Sequence, residues 1–236
     1  MLKKLMIRTW RGTLPPWTTQ FRASVSHLSE SGWDFAIIDD WLSVRRRIQA
    51  NLYITIPQEI DTRKPGDYDP ANSIIFADLI KGYDFWGHFN LDCVYGRLSH
   101  WLPDSFLSNI DIYGNDPGAV CGPFTLYRNC EKVNNLFQST PDPEWHYNAS
   151  TSRFLGWDEG GFSDHVRQSA LRGDIRFASG FLQAHDHMTP KHYEFADSLI
   201  GNYPVKFNDD GALIDNVTDQ EIMMYHFNQT RRWPCG

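Results

Sequence analysis

Three short apolar runs, each ending in polar residues and separated by helix-patterned segments, limit the possible folds of this chain more than any other feature. Residues 5–10, 35–38 and 85–89 read as buried strands. After the first, Pro15-Pro16 interrupts the chain and residues 17–30 have helical spacing through Phe21, Val25 and Leu28. Gly32 stands where a helix-terminating glycine belongs. After the second come a basic helical stretch at 44–49, an alternating strand at 52–56, a polar loop at 57–70 and a helix at 71–80. Strand, helix, strand, helix, strand predicts an α/β fold with a mainly parallel central sheet flanked by helices. Ligands of such sheets bind beyond the carboxyl ends of the strands. That rule lines Thr9-Trp10, Asp39-Asp40 and Asn90-Leu91-Asp92 along one crevice.

Past Gly96 the pattern loosens. Residues 110–113, 119–121 and 124–127 are short strand candidates, 131–137 and 164–171 helices, and 221–227 a last apolar stretch. No repeat, low-complexity tract or linker divides the 236 residues, so the expectation is one domain over 1–236. Hydrophobic residues at 41% and charged residues at 22% supply a packed core and exclude disorder as the main state. A net charge of −7 argues against a nucleic-acid partner held by charge. No apolar run approaches the ~18 residues of a membrane span. The apolar patch after Lys3-Lys4 is too short for a signal-peptide core, which points to a cytoplasmic protein with no transmembrane segment. Cys93, Cys121, Cys130 and Cys235 lack CxxC spacing and read as reduced thiols. The sequons at Asn148, Asn216 and Asn228 carry little weight without a secretion signal. Aromatic residues are 14% of the chain, nine of them Trp, either as core or as a groove for planar ligands.

Several residues have chemistry to offer. In an extended Asn90-Leu91-Asp92 the two polar side chains would share one side and could hold a hard divalent cation; a plain turn is the simpler reading. Asp158-Glu159 supplies carboxylates for acid–base work, or acidic residues favoured at a helix N-terminus. In an extended chain these two would face opposite sides, and Glu159, longer and followed by Gly160-Gly161, has the better reach. Thr9, Trp10, Asp39 and Asp67 are plausible nucleotide contacts, though turn and strand-end residues need no function. His185, His187 and His192 form an H-x-H cluster without a second ligand set.

The stretch Tyr83-Asp84-Phe85-Trp86-Gly87-His88-Phe89-Asn90-Leu91-Asp92-Cys93-Val94-Tyr95-Gly96 resembles the D-x-D strand of nucleotide-sugar glycosyltransferases with the GT-A (Rossmann-like) fold. It is most similar to a small family found in bacteria and large algal DNA viruses. There a DFWG-x-x-D-x-D-x-x-x-G strand precedes G-P-x-x-x-x-R-N, here Gly122 to Asn129. Asp158-Glu159 before Gly160-Gly161-Phe162-Ser163, and Tyr225-His226-Phe227-Asn228, extend the match over roughly residues 5 to 233. The resemblance implies a hexosyl- or deoxyhexosyltransferase with a nucleotide-binding half at about 1–96 and an acceptor-side half at about 97–236. It implies a UDP-sugar donor, a glycan or other hydroxyl acceptor, and Mn²⁺ or Mg²⁺ held by Asp92, Asn90 and His226. Arg231 and Arg232 would neutralise the leaving diphosphate, and Glu159 or Asp158 would be the base. One departure stands out: the first acid of D-x-D is Asn90, whose amide brings no charge, so cation affinity should fall. Two other classes compete, a metal-dependent hydrolase built on the histidines and a non-catalytic carbohydrate-binding module using Trp platforms.

Overall fold

The computed structural model describes residues 1–57, 59–60, 64–120, 122–141, 158–180, 185–186, 205–216 and 218–226. Its centre is a six-stranded sheet of β1 (Lys4–Thr9), β2 (Trp33–Ile38), β3 (Phe85–Phe89), β5 (Ile112–Gly114), β6 (Phe124–Arg128) and β7 (Phe177–Ser179), in the order β2-β1-β3-β6-β5-β7. β2, β1 and β3 run parallel, β6 is antiparallel to both β3 and β5, and β7 is parallel to β5. Five of the six strands therefore share one direction. The α/β class and the mainly parallel sheet read from the sequence are those of the structure.

Strand alternation divides the core into two layers. Met6, Phe85, Phe89, Phe124 and Leu126 face helix α1 (Thr18–Val25) and the hairpins of the C-terminal half. Leu5, Ile7, Trp86, Ile112 and Tyr127 face helix α2 (Trp41–Leu52), the segment 54–80 and the helix Ser163–Leu171. Among the described residues there are two smaller sheets. β4 (Cys93–Tyr95) pairs antiparallel with β12 (Met224–His226), which pairs parallel with β8 (His185–Asp186); β9 (Val205–Phe207), β10 (Leu213–Asp215) and β11 (Gln220–Ile222) form a meander.

Several local expectations need correction. Residues 52–56 are not a strand: α2 runs to Leu52 and stops at Tyr53, whose φ of 58° leaves the helix. The alternating apolar residues Ile54 and Ile56 are buried, but beneath the sheet. The polar loop at 57–70 contains the helix Lys64–Asp67 and the turn Asp69–Ala71, both buried. Residues 119–121 form no strand among the described residues, and 71–80 is helical only over Asn72–Ile75. β2 is an edge strand, so most of it is only half-buried. Gly32 does terminate its helical segment, at φ 82°.

Much of the D-x-D-like stretch holds the sheet together. The missing side chain of Gly87 lets β3 sit between its neighbours, since a Cβ there would lie 2.2 Å from the Thr125 carbonyl oxygen. The Trp86 indole donates to Asn134 at 2.8 Å, and the Asp84 carboxylate accepts from the Lys3 N–H at 2.8 Å. Arg128 stacks on Phe85 and donates to the Leu107 and Ile110 carbonyls, while Asn129 donates to the Ile80 and Tyr83 carbonyls. The R-N pair thus ties strand ends to loops.

Candidate functional site

The three parallel strands bring their carboxyl ends together as the sequence suggests: Thr9 is level with Ile38, and Ile7 with His88. Beyond β3 the chain does not stay extended. Asn90 to Asp92 form a turn in which Leu91 is buried, so the two polar side chains are not related by strand alternation as expected. The turn leads into β4, whose Cys93 is level with His226 of β12. His226 Nε2 lies 3.3 Å from Asp92 Oδ1. Of the three residues named as metal ligands from the sequence, Asp92 and His226 are neighbours in space. Carboxylate, imidazole and the Cys93 thiol place their ligating atoms within 4.8 Å of one another.

Burial alone would raise the Asp92 pKa. The hydrogen bond and charge of His226, together with the charge of Arg8, outweigh it and hold the carboxyl below its ordinary value. Asp92 is therefore anionic at neutral pH. A carboxylate beside a buried imidazole suits Mn²⁺, while Mg²⁺ favours a full set of oxygen ligands. On that chemistry Asp92 and His226 fit the cation that the sequence implies.

A second charged group lies beside the first and was missed by sequence reasoning. Arg8, on β1, reaches Asp69 at 3.3 Å, and Asn72 donates to the same carboxylate at 3.2 Å. Burial pushes the Asp69 pKa up to about 7 against the pull of Arg8 and Asn72. Lys64 and Asp67, both buried, pair at 2.9 Å. The turn Asp69–Ala71 also packs against the helical turn Asp158–Phe162. That contact brings the backbone of the two candidate catalytic carboxylates to the neighbourhood of the charged group. Because Asp158 and Glu159 lie in a helical turn, the opposed facing of an extended chain does not apply.

The other candidates are placed as follows. Thr9 is buried at the end of β1, and the Trp10 indole donates to the Thr13 carbonyl at 2.9 Å. Asp39 is exposed beside Asp40, whose carboxylate caps α2 through the Ser43 N–H. Asp67 is committed to Lys64. Arg231, Arg232, His187 and His192 lie outside the described residues. His185 is level with Tyr225, and Asp186 with His226. None of the described tryptophans is exposed; Trp33 and Trp86 are fully buried, so they form core rather than platforms. A groove of about 530 Å³ between α1 and β2 includes none of the candidate residues. Among the described residues no helix is long and apolar enough to cross a membrane.

A family model described as "Family of unknown function (DUF6625)" matches residues 6–232. No curated protein matches the sequence. Among solved structures, the fold is similar to a glycosyltransferase involved in the glycosylation of the major capsid of PBCV-1. The identity is 11%, with a TM-score of 0.47 over 97% of this chain and 95% of that one. It is also similar to a Drosophila β-1,4-galactosyltransferase 7 mutant in complex with manganese, UDP-Gal and xylobiose. Here the identity is 9%, with a TM-score of 0.40 over 95% of this chain and 93% of that one.

Proposed function

The chain belongs to the DUF6625 family, whose function is unknown, and from that starting point we propose that it is a glycosyltransferase using a nucleotide-diphosphate sugar. The observation that carries this reading is the meeting of Asp92 and His226 at the carboxyl end of the parallel strands. A D-x-D-like turn and a late histidine answer one need, holding a divalent cation against a diphosphate. The donor is a UDP-sugar and the acceptor a glycan or other hydroxyl compound.

Each part of the crevice then has a task. Thr9, Trp10 and Asp39 line the strand ends where base and ribose would lie, and Asp67 stands behind them as an ion-paired support. Asp92 and His226 would hold Mn²⁺, with Mg²⁺ the weaker alternative and Asn90 contributing an amide oxygen without charge. The cation supplies stabilisation of the negative charge that builds on the leaving diphosphate. Arg231 would add to that stabilisation. Glu159 is the preferred base for the acceptor hydroxyl, with Asp158 the alternative, and the chain acts as one domain.

The test is incubation with a panel of nucleotide sugars, with and without Mn²⁺, reading released nucleotide. Slow hydrolysis of one or a few UDP-sugars, raised by Mn²⁺, is expected. No release from any donor, with zinc retained on purification and lost with His185 and His187 substitutions, would favour the hydrolase reading.

A further inference from the structure

We propose that Cys93 joins Asp92 and His226 as a protein ligand of the site, so that the site prefers thiophilic dications, Zn²⁺ and Co²⁺, over Mg²⁺. This rests on the reading of Asp92 and His226 as metal ligands, and it adds a donor that the D-x-D pattern does not contain.

Strand register places the sulfur. Cys93 and His226 are directly opposed across the antiparallel pair β4–β12, which puts their side chains side by side on one face. Asp92 precedes the strand in a turn, so alternation does not turn it to the opposite face. All three ligating atoms therefore converge, within 4.8 Å of one another. The 3.3 Å between His226 Nε2 and Asp92 Oδ1 matches the ~3.3 Å separating two ligands held at ~2.0–2.1 Å in tetrahedral geometry.

Burial sets the character of the site. Cys93 is 0% and His226 2% exposed, whereas the Asp92 side chain is 29% exposed. The sulfur and nitrogen form a closed floor, and the carboxylate lies at the open rim. A buried floor with one open side is the pattern of sites that bind an exogenous group, unlike the closed four-ligand structural sites. Tyr95, two residues along β4 and on the same side as Cys93, is fully buried and donates its hydroxyl hydrogen to the Pro123 carbonyl oxygen at 2.9 Å. On metal binding the S–H bond breaks, the sulfur–metal bond forms and the proton passes to solvent. A soft thiolate discriminates against Mg²⁺ and toward Zn²⁺ and Co²⁺.

The experiment uses the full chain stripped with a chelator and titrated with Co²⁺, Zn²⁺ and Mg²⁺, with calorimetry beside the optical titration. The wild type should show a near-ultraviolet sulfur-to-cobalt charge-transfer band that Zn²⁺ abolishes and Mg²⁺ does not. Cys93→Ser should lose that band and bind Zn²⁺ at least ~10-fold more weakly, with Mg²⁺ affinity shifted less than ~3-fold, as ligand softness requires. Visible cobalt bands lost in His226→Ala, but without the charge-transfer band in the wild type, would overturn the cysteine assignment and leave the metal reading standing. No heat and no spectrum with any of the ions would overturn both. The wild-type spectrum decides the matter even if Cys93→Ser fails to fold.

Discussion

On the proposed reading, single residues decide whether the crevice can hold a charged donor. Asp92 carries the only formal charge in Asn90-Leu91-Asp92, so Asp92→Ala should abolish the Mn²⁺ enhancement of nucleotide-diphosphate binding measured by calorimetry. Asn90→Asp should leave that binding intact or strengthen it. Asp69 supplies a pH dependence. It keeps its proton to about pH 7 when folded, against ~4 when unfolded, so the folded state binds more protons between those values. The stability it contributes is full below about pH 4 and is lost as pH rises through about 7. Urea midpoints at pH 5 and pH 8 should therefore fall more for the wild type than for Asp69→Asn. A difference between the two proteins that is the same at both pH values would show that Asp69 does not titrate in this range. The proximity of Asp92 and His226 was legible at this scale because a motif pointed to both. Arg8 and Asp69 were not, because each is an ordinary residue until a turn 61 positions away brings the second to the first. Cys93 was hidden by the same limit, since its significance lies in a cross-strand neighbour.

Elements were legible where local pattern and tertiary role coincide. β3 was read with its bounds intact because both of its faces are buried and it reads as a continuous apolar run. The segment 52–56 misled because alternating apolar residues also arise where a loop presses every second side chain onto a sheet. The segment 57–70 misled in the opposite way: its polar residues suggested solvent, yet Lys64, Asp67 and Asp69 satisfy one another and their neighbours in the interior. β3 also carries a prediction about what its motif is for. Gly87→Ala would set a Cβ 2.2 Å from the Thr125 carbonyl oxygen and 2.9 Å from the Met6 side chain. Backbone leaves no flexible atom to yield, so a loss of about 3 kcal/mol in urea unfolding is expected, at the upper end for overpacking. A loss under ~1 kcal/mol, with nucleotide binding removed, would instead tie this glycine to ligand rather than to sheet closure.

At the scale of the whole molecule, binding and folding share one scaffold, so a ligand of the crevice should stabilise the chain globally. UDP with Mn²⁺ at ~100 times its dissociation constant contributes about 2.7 kcal/mol, which for a chain of this size raises Tm by roughly 5–10 °C. A thermal-shift comparison of UDP, GDP and UMP with and without Mn²⁺ measures this, and an unchanged Tm under every condition would count against a nucleotide site here. The architecture was legible in outline because βα alternation leaves few ways to build a sheet. The pairing of β4 with β12 was not, since it joins distant segments and no local signal announces it. That pairing also sets an order of events during synthesis. The strands β1, β2 and β3 leave the ribosome more than a hundred residues before β12. His226 and Glu221, the latter 124 residues from its partner Arg97, follow only then. A nascent chain can assemble β1, β2 and β3 long before it owns a complete cation site. On the proposed reading, loose nucleotide contact would come first and tight, metal-linked capture last, which would keep half-made molecules from sequestering donor.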